Sequence, residues 1–88
     1  MLEATEAQKK VLRKLKLGNK AADEARYVVQ QGIAKPGMSG AYIQFGKDLQ
    51  MYGLWEALLY VKQYEDRGEY KEGTAQKALE VAIKEAKI

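Results

Sequence analysis

Residues 54–67, LWEALLYVKQYEDR, carry apolar side chains round most of a helix, and that property limits the folds open to the chain. At ~100° per residue, Leu54, Ala57, Leu58, Val61 and Tyr64 share one face. Trp55, Leu59 and Tyr60 widen it until Glu56, Gln63 and Arg67 are the clear polar edge. A helix so apolar is a central one, surrounded by others. Trp55 and Tyr60 each combine an apolar ring with a polar edge, so both are equally candidates for a protein interface.

Four further segments supply the surround. The spacing predicts a first helix over 3–17, closed by Gly18 as a left-handed cap, with Glu3 and Glu6 in its first turn. Asn19 offers an N-cap to a second helix over 20–31, whose stripe is small: Ala21, Ala25 and Val28, with Ala22 and Val29 beside it. Gly32 ends it, and IAKPGM at 33–38 is a loop built on Pro36 and Gly37. Ser39 is placed to cap a third helix over 40–52, with Tyr42, Phe45, Leu49 and Tyr52 on one face. Gly46, beside that stripe, either admits a neighbouring helix closely or weakens its own.

EDRGEYKEG at 65–73 is a polar connector. Thr74 then caps a last helix with Ala75, Ala78, Leu79, Ala82, Ile83 and Ala86 on one side and Lys84 and Lys87 in its final turn. No β-alternation of any length and no internal repeat occurs. An apolar fraction of 47% against 31% charged is a globular balance. The expected fold is therefore all-α, a compact bundle of about five helices forming a single domain over residues 1–88.

The net charge of +3 is unevenly spread. Residues 1–20 hold six basic groups against two acidic ones, and the rest of the chain is slightly acidic. On a continuous first helix Lys9, Lys10, Arg13, Lys14 and Lys16 fall on one side, opposite Ala4, Ala7, Val11, Leu12 and Leu15. Such a ridge can track a phosphate backbone, each contact adding salt-dependent, sequence-independent affinity. The expected ligand is RNA or single-stranded DNA, with Arg26, Lys47 and Lys62 as weaker contacts. The same pattern also describes a solvated helix face. Lying on an anionic membrane fits less well, because the apolar side has no aromatic residue and a stable fold needs it inside.

Catalytic chemistry finds few tools here. The chain has no cysteine and no histidine, which removes disulfides, thiolate sites, zinc sites of the usual kind and the commonest proton shuttle. Ser39 is the only serine and has no histidine base. Neither GxxxxGK[ST] nor GxGxxG occurs. The acidic run Glu65, Asp66, Glu69 and Glu72 is interleaved with Arg67 and Lys71 and lacks the rhythm of a calcium loop, so it reads as a solvated turn. A non-enzyme without cofactor or metal is expected. No apolar run has the length of a signal core or a membrane span, and cysteine usage fits a cytoplasmic compartment.

The middle of the chain, LQMYGLWEALLYVK, resembles the small all-helical subunits of CRISPR effector complexes, those of type III or a related type I complex. Their pattern is a Gly-Leu pair opening an apolar helix with a Leu, an aromatic and a nearby Lys, matched here by Gly53, Leu54, Leu58, Tyr60 and Lys62. WEALLYVKQY at 55–64 is similar to the closing helix, FEALVAYAKYY, of another branch. The resemblance covers about 25 of 88 residues, the chain is shorter than typical members, and its Ala-rich last helix has no counterpart. It implies a non-catalytic, cytoplasmic subunit of an antiviral ribonucleoprotein. Such subunits stack along the complex, contact other effector subunits and touch guide–target nucleic acid through backbone phosphates. The Gly-Leu helix would be structural core.

Two other readings stand beside it. One is a dimerising helical adaptor without nucleic-acid binding, with Trp55 and Tyr60 facing a protein. The other is a helix-turn-helix DNA reader turning at Gly18-Asn19, although its second helix carries only Arg26 as a basic group before Gly32.

Overall fold

A computed structural model describes residues 2–35, 37 and 39–88, at Ser39 the main chain alone. Five helices run in order: α1 (Glu6–Leu12), α2 (Lys20–Gln31), α3 (Ser39–Tyr52), α4 (Leu54–Asp66) and α5 (Thr74–Ala86). The all-α bundle expected from periodicity is what the chain adopts, and its only extended pairing among the described residues is an isolated antiparallel bridge, Ile33 to Tyr70. None of the described helices is long and apolar enough to cross a membrane.

The first helix departs most from expectation. It starts later, because Thr5 forms a capping box with Gln8: Thr5 Oγ1 accepts from Gln8 N at 3.0 Å while Thr5 N donates to Gln8 Oε1 at 2.9 Å. Glu3 therefore precedes the helix and only Glu6 lies in its first turn. It also ends early. Lys14 N bonds to Val11 O and Leu15 N to Leu12 O, tightening the last turn. The chain then leaves the helical path, and Leu15 O accepts from Leu54 N at 2.9 Å. A tertiary bond to the start of α4 stands where five further residues of helix were expected. Gly18, at φ +92°, accordingly serves the turn into α2 and not the end of α1.

Asn19 caps α2 as its sequence position implies, its Oδ1 accepting from Ala21 N and Ala22 N. The small face of α2 (Ala21, Ala22, Ala25, Val29) is buried, as are Ala75, Ala78, Leu79 and Ala82 of α5, the helix against which α2 packs most extensively. The approach is close: a Cβ on Gly32 would overlap the Thr74 side chain. In α3, Phe45 and Leu49 are buried, whereas Tyr42 is half-buried and Tyr52 exposed. Capping by Ser39 and the conformations of Pro36 and Met38 lie outside the described residues.

Helix α4, apolar round most of its circumference, is central. Leu54, Trp55, Ala57, Leu58 and Val61 of α4 are buried and join side chains from all the other helices in one cluster that includes Leu12, Val29, Phe45 and Leu79. The connector after α4 is more than polar filler. Tyr70 is buried, and its strand-like segment is pinned by Ala34 N to Glu69 O and Lys71 N to Gly32 O. Thr74 does not cap α5. Its hydroxyl donates to Lys71 O, and the cap comes from α4 instead: Glu65 accepts from Gly73 N and Ala75 N, both at 2.9 Å. A carboxylate held at a helix N-terminus satisfies otherwise unpaired amides and meets the positive end of the helix dipole.

Candidate nucleic-acid interface

The five-residue cationic ridge does not exist as drawn on one continuous helix. Lys9 and Lys10 belong to α1, Arg13 and Lys14 to the turn that closes it, and Lys16 to the irregular chain beyond. Two of the five are engaged within the molecule. Lys9 lies 5.2 Å from the centre of the Trp55 ring and 3.5 Å from Glu6 Oε1. Arg13 Nε pairs with Glu56 Oε1 at 3.3 Å. Lys10, Lys14 and Lys16 are exposed and make no ion pair among the described residues.

Trp55, named as an interface residue, is 5% exposed. Of its two sequence readings the core one holds, because α1 and Lys9 cover it. Tyr60 does face outward, at 40% exposed, and pairs with Tyr52, 48% exposed, the ring centres 6.4 Å apart and the planes tilted 49°. Tyr52 shares a helical stripe with Phe45 and Leu49, so the sequence pattern marks it as core and not as surface. The signal that could have found it is Gly53, which turns the chain sharply just after it.

The loop and the tyrosines belong to one region. Gly53 follows Tyr52 directly, and the Arg13 carbonyl packs on it. Glu56, which holds the Arg13 side chain, lies one turn before Tyr60 on α4. The segment that carries Lys14 and Lys16 therefore packs through the Arg13 and Leu15 carbonyls on Gly53 and Leu54, which directly follow exposed Tyr52 in the chain. Exposed lysines can meet phosphates, and exposed tyrosine rings can stack on bases.

The weaker candidates lie apart from it. Lys62 bonds to Asp66 Oδ1 at 2.6 Å and lies 3.6 Å from Glu65 Oε2, and the Asp66 hydrogen bond raises its pKa above the ordinary lysine value. Its charge is thus shared with two carboxylates of the same helix, unlike that of Lys14 or Lys16. Its i,i+4 and i,i+3 spacing to these acids was visible in the sequence. Arg26 stacks over Tyr42, 5.5 Å from the ring centre, and with Lys47 lines a groove on α3. Among the described residues no group of three or more acidic side chains is placed to hold a metal ion.

No family model matches the chain, and neither a curated protein nor a solved structure matches it.

Proposed function

We propose that this chain is a non-catalytic helical subunit of a ribonucleoprotein, of the kind its resemblance to CRISPR effector small subunits implies, contacting RNA or single-stranded DNA through backbone phosphates. The observation that carries the reading is that the segment bearing Lys14 and Lys16, neither in an ion pair among the described residues, packs on Gly53 and Leu54, directly after Tyr52 of the exposed Tyr52–Tyr60 pair. Lys10 extends the cationic side along α1. Phosphate contact by such lysines needs no base-reading array, and the chain has none. Stacking on Tyr52 and Tyr60 would add sequence-tolerant affinity.

Binding of the purified protein to labelled single-stranded RNA, single-stranded DNA and duplex, titrated over about 50–200 mM salt, tests this. If Lys10, Lys14 and Lys16 each release a counterion from a single strand, log affinity falls against log salt with a slope of about −2. Replacing the three by Glu removes binding and leaves helicity intact. Binding to none of the three ligands at low salt would reject an autonomous nucleic-acid binder and favour the adaptor.

A further inference from the structure

The outward face of α3 is partly apolar and lies open. Ile43, Gly46, Lys47, Gln50 and Met51 recur at the i, i+3, i+4, i+7, i+8 spacing of one helical stripe. Ile43 is 57% and Met51 66% exposed. Together with Arg26 of α2 and Tyr42 they line a groove of about 590 Å³.

Gly46, at the middle of that stripe, has no explanation in the chain's own packing. A Cβ there would meet nothing within 4 Å, and its backbone is ordinary helix without a positive φ. Glycine inside a helix is destabilising relative to alanine. A residue that breaks a local rule without an internal return marks a place where something outside approaches the backbone.

The charges select the occupant. Both charged side chains lining the groove are cations, Arg26 and Lys47. Neither Arg26 nor Lys47 makes an ion pair among the described residues. A second copy packed two-fold about Gly46 would set one Lys47 beside the other, which like-charge repulsion opposes. A nucleic acid would satisfy the cations but leave Ile43 and Met51 against a hydrated backbone.

We propose that this groove docks an amphipathic helix of a partner protein. Its apolar residues, at one- and two-turn spacing, lie over Gly46 between Ile43 and Met51, and its flanking Asp or Glu side chains meet Arg26 and Lys47. The stretch of α3 that lines the groove, Tyr42 to Met51, is about 15 Å long and accepts two to three turns of such a helix. The proposal uses different residues from the tyrosine surface and does not depend on nucleic-acid binding there.

The test is a labelled helical peptide about four turns long, with Leu on one face and Glu at its edges, compared with the same peptide carrying Lys for Glu and with single-stranded RNA. The Glu peptide binds saturably and the Lys peptide at least about tenfold more weakly. Gly46→Trp keeps the circular dichroism spectrum and loses the peptide, and Lys47→Glu, which leaves Arg26 against a new carboxylate, removes most of the preference for the Glu peptide. No saturable binding, or unchanged binding by Gly46→Trp, overturns the proposal. RNA that displaces the Glu peptide and is itself lost in Lys47→Glu makes the groove a nucleic-acid face instead. Sedimentation showing self-association that Gly46→Trp abolishes makes it a homodimer interface.

Discussion

The main-chain carbonyl of Arg13 occupies the space that a Cβ on Gly53 would fill. Gly53 is also the single residue between α3 and α4, at φ +91°. One position thus turns the chain, accepts the end of α1 against it, and sets where Lys14 and Lys16 leave the fold.

Gly53→Ala should consequently be costly on two counts. At φ +91° and ψ 171° the backbone lies in an extended region essentially reserved for glycine, which costs another residue on the order of 1–3 kcal/mol, and the overlap with Arg13 must be relieved by moving α1. Urea unfolding should show a loss of about 2 kcal/mol or more, with nucleic-acid affinity weakened in whatever fraction remains folded. A loss below about 0.5 kcal/mol, within the range of ordinary surface substitutions, would mean that the contact is not formed in solution.

Burial of Trp55 beneath Lys9 separates a packing role from a partner-facing one. Trp55→Ala should remove about 3–5 kcal/mol of stability. Lys9→Ala should cost only about 0.5–1 kcal/mol, the worth of a cation over an aromatic face near solvent. Thermal unfolding of the two variants checks both. A Trp55→Ala protein of wild-type stability would contradict the burial.

Glu65 links α4 to the start of α5 through Gly73 N and Ala75 N. Glu65→Ala leaves those amides without their acceptor and should cost about 1–3 kcal/mol. Hydrogen exchange should quicken most in the first turn of α5. Equal protection there in wild type and variant would show that another group supplies the cap.

Tyr70 supplies a pH dependence with a definite sign. Its hydroxyl is buried without a hydrogen-bond partner, and desolvation, followed by the nearby Tyr64, Glu69 and Tyr42, raises its pKa above the tyrosine reference of 10.0. The folded protein therefore holds the neutral phenol more firmly than the unfolded chain does. Its contribution is complete below about pH 10 and is lost as pH rises beyond it, by up to about 1.4 kcal/mol per unit. Lys62, whose pKa is also raised, loses its ion pairs in the same direction at high pH. Tyr70→Phe should flatten the part of this fall that belongs to the phenol. It should be neutral or slightly stabilising at pH 7, since the hydroxyl it deletes has no partner. A clear destabilisation at neutral pH would reveal a hydrogen bond to the hydroxyl.

Much of the fold was legible because its signals are local. Asn19 caps the helix it precedes, the faces of α2 and α5 follow the 3.6-residue period, α2, α3 and α4 begin and end within about a residue of their expected bounds, and α5 begins within one. Two further local signals lie in the sequence: the Thr5–Gln8 capping box and the Lys62–Asp66 spacing. The candidate site was less legible. Its lysines were named, but their setting was drawn on a helix three residues longer at its start and five at its end than the real one.

By itself the sequence determined that this chain forms a helical bundle with α4 at its centre, because apolar periodicity, caps and glycines act within about four residues. The tertiary structure alone decided where α1 stops, that Trp55 is covered by Lys9, that Glu65 caps a helix other than its own, and that α3 leaves Gly46 facing an open groove. Those outcomes depend on contacts between segments far apart in the chain, such as Leu15 with Leu54 and Arg13 with Glu56. Each forms only after loop closure and packing have placed its partners, and no local pattern in the chain records that placement.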